Sequence, residues 1–231
     1  MSKLVIFDGN AIMHRAYHAM PPMRTTSGDP ISAVYGLTSM LLRVVEDLKP
    51  SHLAFAFDRP EPTFRKKLLE AYQSHRPEMA EDLGGQFEKA YEVLQAMGIP
   101  VYDKAGYEAD DVIGTIAKMA TTHVIASKTK QSSMKKDRHA VARDDNSVGE
   151  VVVVTGDRDM LQLVNDKTKL YMSERGLGKA KLYGDNETKE RMGVAPERIV
   201  DLKGLMGDSS DNYKGVPGVG PKTAMNLLDK Y

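Results

Sequence analysis

Three short apolar runs lead directly into aspartates: Leu4–Phe7 before Asp8, Leu53–Phe57 before Asp58, and Val151–Val154, through Thr155-Gly156, before Asp157. Apolar runs of this length read as strands buried on both faces, as in a parallel sheet. Between them the period changes. Ala33–Asp47 places apolar residues at Val34, Leu37, Met40, Leu41, Val44 and Val45, and Gln86–Met97 at Phe87, Tyr91, Leu94 and Met97. That spacing predicts amphipathic helices. Strands alternating with helices predict an α/β fold, a mainly parallel central sheet with helices on both faces. Ligands of such sheets bind outside the carboxyl ends of the strands, where Asp8, Asp58 and Asp157 would emerge together. Each aspartate alone serves equally well as a helix N-cap.

Further acids join these three. Glu108, Asp110 and Asp111 open the helical pattern of Val112, Ile113, Ile116 and Met119. Acids favour a first helical turn, but three in four positions exceed what capping needs. Glu108 and Asp111 share nearly one face, while Asp110 is rotated by about 100°. Asp157 and Asp159, then Asp208 and Asp211, repeat the grouping. So many gathered carboxylates would raise one another's pKa values, and hard divalent cations relieve that repulsion. With no cysteine and no histidine pair at zinc spacing, the donors suit Mg²⁺ or Mn²⁺ better than zinc. Two such ions would support phosphodiester hydrolysis.

The formal net charge is zero, which at first disfavours a nucleic-acid binder. With nine acids assigned to metal, however, 32 bases face 23 remaining acids. Residues 127–147 form a basic, polar insertion carrying Lys128, Lys130, Lys135, Lys136, Arg138 and Arg143, either a DNA contact or a solvated loop. No apolar stretch approaches the roughly 18 to 20 residues of a membrane helix. An acid follows too soon after Met1 for a secretory signal, so a cytoplasmic protein with no membrane partner is expected.

The motifs Phe7-Asp8-Gly9, Arg15-Ala16-Tyr17-His18-Ala19, Thr63-Phe64-Arg65, Gly106-Tyr107-Glu108-Ala109-Asp110-Asp111, Thr155-Gly156-Asp157-Arg158-Asp159 and Met206-Gly207-Asp208-Ser209-Ser210-Asp211-Asn212 stand in a telling order. Over nearly its whole length the chain resembles the 5′ nuclease, or flap endonuclease, family typified by the N-terminal 5′-3′ exonuclease domain of bacterial DNA polymerase I. The resemblance implies a structure-specific 5′-3′ exonuclease or flap endonuclease of replication or repair. It implies one metal site around Asp8, Asp58, Glu108, Asp110 and Asp111, and a second toward Asp157, Asp159, Asp208 and Asp211, with Asp111 near both. Arg15 would stand near the scissile phosphate, joining Asp8, Asp58, Asp111 and Asp157 in catalysis.

The same resemblance implies an α/β nuclease core over residues 1–183 and a helical DNA-binding subdomain over 184–231 that stops short of the family's length. A helical arch over about 60–81 would offer Arg65, Lys66, Lys67, Tyr72, His75 and Arg76 to a single strand. A helix–hairpin–helix element, with Gly215, Gly218, Gly220, Lys222 and Thr223, would grip duplex phosphates, with room for a K⁺ ion. Branched, flapped or nicked DNA is the implied partner of a monomer, beside a polymerase domain in the same or another chain. One departure stands out: Gln73 replaces the arch lysine of the family pattern, with Lys66 or Lys67 as substitutes. It leaves a DNA-structure-binding relative with weak or no cleavage as the alternative, and a ribonuclease as a more distant one.

Overall fold

The computed structural model describes residues 2–76, 79–131, 148–175 and 179–231. In chain order the elements are β1 (Ser2–Asp8), α1 (Gly9–Ala19), α2 (Ser32–Leu48), β2 (His52–Ala56), α3 (Phe64–Leu68), α4 (Glu81–Ala96), β3 (Val101–Tyr102) and α5 (Ala109–Gln131). They continue with β4 (Val148–Val154), β5 (Thr168–Arg175), β6 (Lys179–Tyr183), α6 (Asp185–Met192), α7 (Ile199–Met206), β7 (Gly207–Asp208), β8 (Tyr213–Lys214) and α8 (Pro221–Lys230).

Six strands form one sheet in the order β3-β2-β1-β4-β5-β6, and β7 pairs with β8 separately. Every pair in the large sheet is parallel except β5 with β6. Because side chains alternate along a strand, successive residues of each strand feed two different cores. Val5, Phe7, Phe55, Phe57, Val152 and Val154 pack with residues of α1, α2 and α4. Leu4, Ile6, Ala54, Ala56, Val151 and Val153 pack with residues of α5, α7 and α8. Helices therefore cover both faces, as the alternating pattern predicts, and the helices after Tyr183 share a core with the sheet. Phe7 and Phe55 stack across neighbouring strands with ring centroids 4.4 Å apart. Gly9 lets α1 leave β1 against the Phe57 ring, which a Cβ would strike.

The segment predicted as a helical arch differs. Among the described residues before α4 begins at Glu81, only α3 is helical there, and turns follow over residues 70–76. Gln73 adopts a φ of +54°, in the left-handed region, where a right-handed helix cannot continue. The basic insertion overlaps the end of α5 to Gln131, and its remainder, with the side chains of its bases, lies outside the described residues. Among the described residues, no helix is long and apolar enough to cross a membrane.

Candidate metal centre

The carboxyl end of the sheet opens into a cavity of about 740 Å³. Of the nine predicted acids, all but Asp208 line it. The strand ends supply the first of them. Asp8 ends β1 and is both cap and wall: Oδ1 accepts from the Ala11 amide at 3.0 Å, and Oδ2 from the Thr155 hydroxyl at 2.6 Å. Asp58, just past β2, accepts from the Ala109 amide at 2.6 Å and so ties α5 to β2. Its own amide donates to Asn10 at 2.9 Å. Asp157, past β4, accepts from the Asp159 amide at 2.8 Å.

Asp110 faces this group without a basic partner among the described residues. Burial, then the charges of Asp8, Asp157, Asp58 and Glu108, push its carboxyl up to about 9. Burial likewise raises Asp8 to about 6, against the lowering pull of Thr155 and the Ala11 amide. Glu108 is raised, chiefly by burial. These are the signs of a site short of positive charge.

Other acids are already neutralised. Arg65 grips Asp111 with both terminal nitrogens, at 2.6 and 2.8 Å, and lies 3.6 Å from Glu108. Asp111 is thereby held below the usual carboxylate range although burial opposes it. Asp159, Asp208 and Asp211 form a second group, with ligand atoms all within 4.8 Å of one another. Lys203 lies between two of them, 2.7 Å from Asp159 and in close contact with Asp208. Burial raises Asp208, but Lys203 and the Ser210 hydroxyl and amide outweigh it and bring the group down to about 2.

These contacts divide the acids differently from the expected grouping. Asp157 acts electrostatically on Asp8 and Asp110 as well as on Asp159, so it stands between the two groups and not within the second alone. Asp111 is paired with Arg65, which also approaches Glu108. Arg15 is absent from the cavity wall: it donates to the Ser173 carbonyl at 2.8 Å and rests against Gly156, bracing the loop that carries Asp157.

The expected DNA-binding residues also separate. Arg65, Lys66, Tyr72 and Arg76 line the cavity and Lys67 does not. Tyr72 is half-buried at the cavity wall, and its hydroxyl donates to Glu108 at 3.1 Å. Gly215 packs so closely on the backbone of Gly207 and Leu205 that a Cβ would clash, which is a folding role. Gly218 has a φ of +79°, and Gly220 precedes α8, so the amides of Lys222 and Thr223 lie in its first turn. Lys203 and the cavity residues Asn10 and His14 were not anticipated. Asn10 and His14 stand four apart on one face of α1, a spacing that could have flagged them together; nothing in the local sequence marks Lys203.

A family model described as the 5′-3′ exonuclease N-terminal resolvase-like domain matches residues 3–148, and one described as the 5′-3′ exonuclease C-terminal SAM fold matches residues 194–231. The chain belongs to the 5′-3′ exonuclease family. A 5′-3′ exonuclease of Bacillus subtilis is 36% identical over 234 residues, covering 100% of this chain and 71% of that relative. DNA polymerase I of the same organism is 39% identical over 229 residues, covering 99% of this chain. The chain spans 23% of that polymerase's length. Among solved structures, the bacteriophage T5 D15 flap endonuclease, complexed with DNA and metal ions, superposes with a TM-score of 0.71 at 22% identity. That likeness covers 99% of this chain and 75% of the other, and it shows that this exonuclease-family chain shares the fold.

Proposed function

We propose that the chain is a divalent-metal-dependent 5′-3′ exonuclease and flap endonuclease that hydrolyses DNA phosphodiesters. The observation that carries this reading is Asp110, a buried carboxyl facing Asp8, Asp58 and Asp157 across an open cavity, with burial and like charge pushing it up to about 9. Such a group awaits a cation. The donor set fits: it is made of carboxylate oxygens, which suit a hard ion, so Mg²⁺ is the expected metal and Mn²⁺ its substitute. Asp8, Asp58, Glu108, Asp110 and Asp157 would hold one ion, and Asp159, Asp208 and Asp211 the other. When bound, such ions acidify a water, polarise the phosphodiester and neutralise the leaving oxygen.

The chain's own groups do the rest. Thr155 and the Ala11 amide fix the Asp8 carboxylate, so its orientation is set before substrate arrives. Arg15 steadies the Gly156 turn beneath Asp157. Lys66 and Lys118 on the cavity wall offer charge to a phosphate backbone. The first turn of α8, behind Gly218 and Gly220, offers backbone amides to a duplex phosphate, and a K⁺ ion there would reinforce that grip without reading sequence. Flapped, branched or nicked DNA is the proposed substrate of a cytoplasmic monomer. The similarity to part of DNA polymerase I makes a polymerase domain, in the same or another chain, the proposed partner.

The test is cleavage of a 5′-flap DNA in Mg²⁺, Mn²⁺ or chelator, with Asp157→Asn as control. Cutting in either metal but not in chelator, and its loss in the variant, is expected. Cutting in chelator, or a fully active Asp157→Asn, would overturn the mechanism. Binding without cutting in both metals would favour a DNA-structure-binding relative, which Gln73 in place of the family lysine motivates.

A further inference from the structure

The turn at Ala71–Arg76 and the Asp211-Asn212 segment hold each other through five hydrogen bonds, two of them on one carboxylate oxygen. Gln73 Nε2 donates to Asp211 Oδ1 at 3.0 Å, and Arg76 Nη2 donates to the same oxygen at 2.9 Å. The Gln73 amide donates to the Asp211 carbonyl at 3.0 Å. In return, the Asn212 side-chain amide donates to the Ala71 carbonyl at 2.8 Å and to the Ser74 hydroxyl at 3.0 Å. Gln73 and Asn212 both take left-handed backbone angles, φ +54° and +57°, so the clamp carries conformational cost on each side.

Asp211 is also the carboxylate that completes the group with Asp159 and Asp208. Its Oδ1 is already engaged by an amide and a guanidinium, and the Arg76 charge offsets that of the carboxylate, so an ion meets a weaker ligand than a free aspartate. We propose that Gln73 and Arg76 set the affinity of the second group for its divalent ion by competing for Asp211, and that the ion's arrival loosens these two side chains and the turn that carries them. This rests on the metal reading above. Since Gln73 and Arg76 line the cavity, loosening them opens space where a strand would enter. The coupling is reciprocal: whatever weakens the clamp must tighten the ion by the same factor.

Two measurements on the full chain without DNA test this, Mn²⁺ binding followed by electron paramagnetic resonance and amide hydrogen exchange of residues 72–76. Arg76→Ala and Gln73→Ala should each tighten the weaker Mn²⁺ site by about threefold to fivefold, the weight of one partly exposed ion pair or hydrogen bond. Saturating Mn²⁺ should speed exchange across the turn, and Asp211→Ala should do so without metal. A purely structural clamp would instead leave Mn²⁺ affinity unchanged or weaker in the first two variants. That result, or exchange indifferent to bound Mn²⁺, would overturn the inference alone. Failure of the unaltered chain to bind Mn²⁺ at all would overturn the metal reading together with it.

Discussion

Without metal, stability should fall as pH rises through the neutral range, and a divalent ion should abolish the fall. Asp110 is pushed from its ordinary 3.8 up to about 9 by burial and the acids around it. Its folded value lies above its unfolded value, so between the two the folded chain holds a proton that the unfolded chain has lost. The contribution is fully present below the unfolded value and disappears as pH climbs through the folded one. Asp8, raised to about 6, behaves in the same way but finishes earlier. His14, lowered chiefly by burial, works in the opposite sense below its ordinary 6.5. The window from about pH 7 to 8.5 therefore isolates Asp110, where one proton of difference costs about 1.4 kcal/mol per pH unit, or roughly 2 kcal/mol across the window. For a chain of this size, that lowers the melting temperature by about 4 to 8 °C. The assay is thermal unfolding in chelator and in saturating Mn²⁺ across the window. Asp110→Asn should flatten the slope in chelator and raise stability at the alkaline end. A melting temperature that holds or rises with pH in chelator, or a slope that survives in Asp110→Asn, would refute the reasoning.

Three further outcomes follow from particular contacts. Lys203→Met leaves Asp159 and Asp208 without their shared cation, so metal-free stability should drop by about 1 to 3 kcal/mol in urea unfolding, with Mn²⁺ restoring most of it; equal losses with and without Mn²⁺ would count against the assignment. Gly9→Ala drives a methyl into the Phe57 ring and should cost about 1 to 3 kcal/mol by thermal melt, an unchanged melt being the contrary result. Gln73→Lys adds charge beside Asp211; it should raise single-turnover cleavage of a 5′-flap at saturating metal by roughly threefold to tenfold, short of a fully placed transition-state donor, while increasing the metal concentration required. An unchanged or lower rate would sink that expectation.

What could be read from the chain was whatever strand and helix periods dictate locally. The aspartates after β1, β2 and β4 converge because parallel strands share a carboxyl edge, and the apolar runs before them mark those strands directly. Of the two readings of Asp8, the cap is visible in Oδ1 on the Ala11 amide, while Oδ2 takes the Thr155 hydroxyl at the cavity wall. Asp58 caps a helix, but it is α5 and not the next one in sequence, a choice made by tertiary packing. The basic partners were illegible for the same reason. Gln73 meets Asp211 across 138 residues, and only the left-handed turn at Gln73 aims the pair. Arg65 reaches Asp111 across 46 residues. Counting acids in the sequence therefore treated nine carboxylates alike, whereas the fold divides them. Asp8 and Asp110 stand protonated or repelled for want of a cation, while Asp111, Asp208 and Asp211 already have Arg65, Lys203 and Arg76. An ion entering beside Asp110 meets no base on that carboxyl among the described residues; one entering beside Asp211 meets Gln73 and Arg76 on its Oδ1, and that difference makes the second group the place where metal and substrate access can be coupled.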